Sequence, residues 1–161
     1  MITMANRYEN AKAIIPLVKY YESLQELIEI WATVRTIAGR VVDREVSTEW
    51  GEKRIDSLVH DAIDVLDKDL KYGTKYFVNV PSEDDYPERA QAIETLNRFF
   101  KYLYDVLAGK ISISKILDAD WDKVLADMRT EVMGFIDDRV SPKEYVEPLR
   151  VVKQMKDSTL G

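Results

Sequence analysis

Apolar residues recur at steps of four and three along most of this chain, a spacing that keeps them on one face of a helix. The longest run is Tyr20, Leu24, Leu27, Trp31, Val34, Ala38 and Val41, whose alternating steps make a heptad seam. Leu17, Tyr21, Ile28 and Val42 form a second row on an adjacent flank, interrupted by Arg35, and Ile30 and Ile37 add a third direction. An edge helix of a bundle needs an apolar stripe only a little over 100° wide. The surplus predicts that this helix meets a fifth helix, another copy of the chain or a different protein. Upstream, Asn6 and Glu9 have the N-x-x-E spacing of a helix start, and Pro16 predicts a kink or a split. Downstream, Arg35, Arg40 and Arg44 gather where the macrodipole favours cations and nearby acids can pair with them.

Ser47 or Thr48 is placed to cap a second helix, which the pattern carries to about Tyr72, where Gly73 closes it. Its expected core face is Ile55, Val59, Ala62 or Ile63, Leu66 and Leu70, and Gly51 weakens its first turns. The stretch from Asp85 to Gly109 carries the most start and stop signals. Asp85 and Glu88 have capping-box spacing, Pro87 falls in the first turn, and Gly109 can take the left-handed conformation that ends a helix. Tyr86, Ala90, Ile93, Leu96, Phe100, Leu103 and Leu107 share its apolar face, with Phe99, Tyr102 and Tyr104 widening it. That breadth predicts a central helix with neighbours on several flanks.

Asp118 or Asp120 then caps a fourth helix ending near Arg139, with Trp121, Leu125, Met128, Val132 and Phe135 facing the core. Ser141, Pro142 and Glu144 open a short last helix through Tyr145, Leu149 and Val152, broken at Pro148. Lys75 to Val80 and Ile111 to Ser114 are the two stretches from which one minute strand pair could form. The expected fold is therefore all-α: an up-and-down bundle of four long helices plus a short C-terminal helix, in one domain spanning 1–161. Residues 1–5 and 157–161 are expected to fray.

Composition narrows the class further. With 46% hydrophobic and 32% charged residues the chain has the balance of a globular domain. No apolar run approaches the length of a membrane span. No leader is legible at Met1 to Ala5, so the protein is expected to stay in the cytoplasm. The absence of cysteine removes disulfides, thiolate metal ligands and thiol nucleophiles. A net charge of −6 argues against general nucleic-acid binding, which is driven by counterion release from phosphates. Few Asn and Gln beside 23 basic and 29 acidic residues point toward a thermophilic source.

Three constellations are candidates for chemistry. His60 is the single histidine, and Asp56 and Asp64 lie one turn to either side of it. Two carboxylates and an imidazole on one stripe suit a divalent metal, and equally suit a solvated polar face. No Glu-x-x-His pair occurs, which removes the diiron bundles. Arg54 and His60, in the run RIDSLVHDA, resemble the Arg-to-His motif of HEPN-type helical ribonucleases. The resemblance covers about seven residues and departs from the pattern at Ile55, where a polar residue usually follows the arginine. It implies that Arg54 would stabilise phosphate charge and His60 would transfer a proton. Six residues along a straight helix, however, leave the two pointing about 120° apart. The third set is Glu22, Glu26 and Glu29 on the first long helix with Asp61 and Asp64 on the second; Lys68 breaks the acidic row. It is similar to the paired acidic motifs with which all-α nucleotide pyrophosphohydrolases hold magnesium.

No serine elbow or phosphate loop accompanies these residues. The expected function is therefore non-catalytic: protein interaction or assembly, as a scaffold or structural subunit, without cofactor or metal. The partner is the chain itself or another protein. A HEPN-like ribonuclease, or a small helical subunit of a nucleic-acid-processing complex using Arg54 and His60, is the alternative. Trp31, Trp50, Trp121, Tyr102 and Tyr145 are more aromatics than the four core seams can all bury, so some are expected on a binding surface.

Overall fold

The structure, a computed structural model, describes residues 4–71, 77 and 79–140. The fold is an all-α bundle. Its long helices are α1 (Met4–Val42), α2 (Thr48–Asp64), α3 (Arg89–Leu107) and α5 (Trp121–Val140); the short α4 (Ile113–Asp118) precedes α5. α1 is one unbroken helix that contains Pro16, not two. The expected C-terminal helix lies outside the described residues.

Pairs of named residues give the direction of each helix. Gly51 near the start of α2 abuts Val41 and Ile37 near the end of α1, so the two run antiparallel. Asp122 and Arg129 of α5 meet Arg35 and Gln25 of α1, which reverses α5 as well. Tyr86, just before α3, packs on Tyr20 at 5.5 Å, while Phe99 reaches Trp31 at 5.9 Å, so α3 runs parallel to α1. α1 borders α2, α4 and α5. The helix expected to be central, α3, is instead diagonal to α1 and touches it through rings. The reason is steric: Trp31, Phe99, Tyr102 and Trp121 form a cluster with centroids 5.1–5.9 Å apart. Rings of this size fill the middle of the bundle and hold the diagonal backbones apart. The Trp31 indole N–H donates to the Ala119 carbonyl at 2.8 Å, which satisfies the one polar atom of a fully buried side chain.

The seam on α1 and the core face of α2 are buried as the spacing predicts, from Tyr20 to Ala38 and from Ile55 to Leu70. The apolar surplus on α1 is also largely covered within the chain. Leu17 and Ile37 are buried, and Tyr21, Ile28 and Ile30 pack against the core.

Ser47 caps α2 by accepting from the Trp50 N–H at 3.1 Å. α2 does not continue to Tyr72 as a regular helix. After Asp64 it widens into one π turn, Val65–Asp69, and Leu70 ends it. α3 starts three residues later than the capping-box spacing suggests, with Glu88 and not Asp85 before its first turn. The Asp85 carboxylate is engaged elsewhere, by Arg139 of α5 at 3.1 Å and by the Ser82 hydroxyl at 3.4 Å. Gly109 does close α3, with φ +74° and the Lys110 N–H donating to the Asp105 carbonyl at 3.0 Å. There is no strand among the described residues. Ile111 to Ser114 opens α4 instead, because the Ser112 hydroxyl accepts from the Lys115 N–H and starts a helix.

The apolar face of α3 is also rotated from expectation. Ala92, Leu96, Phe99, Leu103 and Val106 are buried, whereas Ala90 is exposed and Ile93, Phe100 and Leu107 are half-buried. Both sets are apolar at helical spacing, and only the tertiary packing decides which faces inward.

Candidate functional site

α2 turns Ile55, Leu58, Val59, Ala62 and Ile63 toward the core, so the residues between them face solvent. Arg54, Asp56, His60, Asp61 and Asp64 are all exposed. Asp56, His60 and Asp64 lie along one stripe; Asp56 also borders a concavity that α2 shares with Val106, Leu107 and Ile111 at the end of α3 and beyond, which bring no further metal-ligating side chain to it. Among the described residues no group of three His, Asp or Glu side chains is close enough to hold a metal ion. Arg54 and His60 stand on the same solvated surface, with no cleft around them.

The acids of α1 and α2 are brought together in part. The Glu26 carboxyl is pushed above the usual range, first by partial burial and then by the negative charges of Asp69, Glu29 and Asp61. Of the expected set, Glu26, Glu29 and Asp61 interact in this way, and Asp69 joins them. Asp69 was not legible as a member because the π turn re-aims every side chain after Asp64. Glu29 accepts from Gln25 Nε2 at 3.0 Å, and Gln25 in turn accepts from Arg129 of α5. These acids are thus partly drawn into the contact between helices, and the remaining like charges repel one another.

Two phenols meet at the opposite end of the core from the four-ring cluster. Tyr20 and Tyr86 are buried with ring centroids 5.5 Å apart, and Phe135 packs edge-on against Tyr86. The Tyr20 hydroxyl makes no well-formed hydrogen bond; its nearest polar neighbours are Tyr86 and, beyond it, Glu131. Burial first raises both phenols well above the ordinary tyrosine range; Tyr86 and then Glu131 add to the effect at Tyr20, and Glu131 adds to it at Tyr86, where the Tyr20 contact acts in the opposite direction. Tyr102 is raised to about 12 by burial alone, and its hydroxyl is also unpartnered. Neither Tyr20 nor Tyr86 is poised to lose a proton near neutrality, so neither suits acid–base chemistry there.

A shallow, open concavity of about 640 Å³ lies on the outward side of α3, lined by Arg89, Ala90, Ile93, Glu94, Asn97, Arg98 and Lys101. The floor is apolar and the rim is charged. Asn97 sits midway, with its side-chain oxygen shielded from water and unpartnered. Tyr104, one turn further, is 48% exposed. The aromatics expected on a surface separate clearly here. Trp31 is buried, Trp121 and Tyr102 are half-buried, Trp50 is exposed, and Tyr145 lies outside the described residues. No described helix is long and apolar enough to cross a membrane. No family model matches the chain, and no curated protein or solved structure matches it either.

Proposed function

We propose that this chain is a non-catalytic assembly protein that presents the outward face of α3 to a protein partner. The observation that carries this reading is the groove itself. Its apolar floor follows helical spacing, its rim is charged, and an exposed tyrosine stands at one end. That combination of apolar centre, polar rim and aromatic anchor is the anatomy of a protein interface. The residues with chemical potential lie elsewhere, solvated on α2 or spent on packing, and do not converge with the groove.

The test is the native mass of the protein, measured in an extract of the cells that make it and again after purification. Assembly predicts a particle heavier than the 18.7 kDa of one chain in the extract. A particle of one chain's mass under both conditions overturns the reading.

A further inference from the structure

We infer that the partner at this groove is a second copy of the chain, with the two α3 helices antiparallel about a two-fold axis near Asn97. The inference rests on the assembly reading above and names the partner. Ala90, Ile93, Asn97, Phe100 and Tyr104 follow heptad steps along the outer side of α3. A two-fold interface is self-complementary, so every residue must suit its counterpart across the axis. Placing the axis near Asn97 sets Tyr104 over the partner subunit's Ala90, a large exposed ring against the smallest floor residue. The same placement sets Glu94 opposite the partner subunit's Lys101, since both lie on the same side of the stripe. By symmetry this opposite-charge pair occurs twice. A parallel arrangement would set Glu94 on Glu94 and Lys101 on Lys101, which like-charge repulsion disfavours. Asn97, whose side-chain oxygen is unpartnered at the midpoint of an apolar stripe, is the kind of residue that fixes a single register at some cost in stability.

The contact is modest. From Ala90 to Tyr104 the helix is about 21 Å long, which places the interface at the small end of specific contacts. The dimer is expected to be reversible, with a dissociation constant on the order of micromolar.

Sedimentation equilibrium of the full chain tests the pairing, from about one to several hundred micromolar. The wild-type protein should shift from monomer to dimer across that range. Glu94→Lys alone and Lys101→Glu alone should each weaken dimerisation at least tenfold, since both create two like-charge contacts. Both positions are exposed, so the variants should keep the wild-type circular dichroism spectrum. Mixing the two variants should restore a dimer, because the altered charges are complementary between them, and the double variant should recover it alone. A wild-type dimer untouched by either reversal overturns α3 pairing and leaves the assembly reading standing. A purified chain that stays monomeric, as it would with the groove filled by another part of itself, overturns self-pairing. Its mass in the extract then decides the assembly reading separately.

Discussion

Arg35 of α1 clasps Asp122 of α5 through both carboxylate oxygens, at 2.9 and 3.2 Å, while its Nε donates to the Leu117 carbonyl at 3.1 Å. One guanidinium thereby ties α1 to the end of α4 and the first turn of α5. This is why a charged residue interrupts an otherwise apolar row on α1. The pair is about one-third exposed, at 33% and 26%, so water screens part of the attraction. Replacing Arg35 by Ala should cost about 1–2 kcal/mol, the range for charge-assisted hydrogen bonds that are partly solvated. A double-mutant cycle with Asp122→Asn isolates the coupling. Additive effects would mean that the geometry contributes nothing.

Gly51 shows a second constraint on the same corner. A Cβ built there would enter the space of the Val41 side chain, with Ile37 also within 3.8 Å. Gly51→Ala should therefore destabilise the protein by about 1–3 kcal/mol, through overpacking. An unconstrained helical glycine would instead gain about 1 kcal/mol on the same change. The direction of the shift in a urea titration distinguishes the two.

The buried phenols set the alkaline limit. A phenol whose folded value is raised stays protonated in the fold while the unfolded chain ionises. Its contribution is intact below about pH 10 and is lost as pH climbs above that, toward the value of about 12 for Tyr102 and beyond for Tyr20 and Tyr86. Stability should fall steeply over that interval, with the phenolate absorbance of these three tyrosines emerging only as the helices unfold. Tyr20→Phe should leave stability at neutral pH unchanged or raise it, by up to about 1 kcal/mol, since the hydroxyl it removes is buried and poorly bonded. A large loss would show that the Tyr86 contact is worth more than its geometry suggests.

Glu26 titrates on the acid side. Its raised value means that the charged form is disfavoured in the fold, so the penalty is fully present at neutral pH and fades as pH falls through the carboxylate range. Glu26→Gln should stabilise the protein near neutrality by roughly 0.2–1 kcal/mol, the size of a surface charge contact. The gain should vanish below about pH 4, where the neighbouring acids are also neutral. Melting curves of both proteins across pH give the comparison, and a gain that persists in acid would point to packing rather than charge.

The sequence by itself determined what local periodicity encodes. The seam of α1 from Tyr20 to Ala38, the inner face of α2, the Ser47 cap and the Gly109 stop all follow from spacing and backbone preference, which act within a few residues. The tertiary structure decided whatever depends on a partner distant in sequence. Asp85 could not be recognised as a ligand of Arg139, and so as no helix cap, because the two are 54 residues apart. α3 bears two apolar faces of similar quality, and only the bulk of Trp31, Phe99 and Trp121 determined which one is buried. The π turn after Asp64 likewise brought Asp69 into the acidic group around Glu26. The groove on α3 is the face left over from that competition. It is readable as apolar from the chain but as outward only once the other helices are in place, because burial is a property of neighbours and not of the helix that carries it.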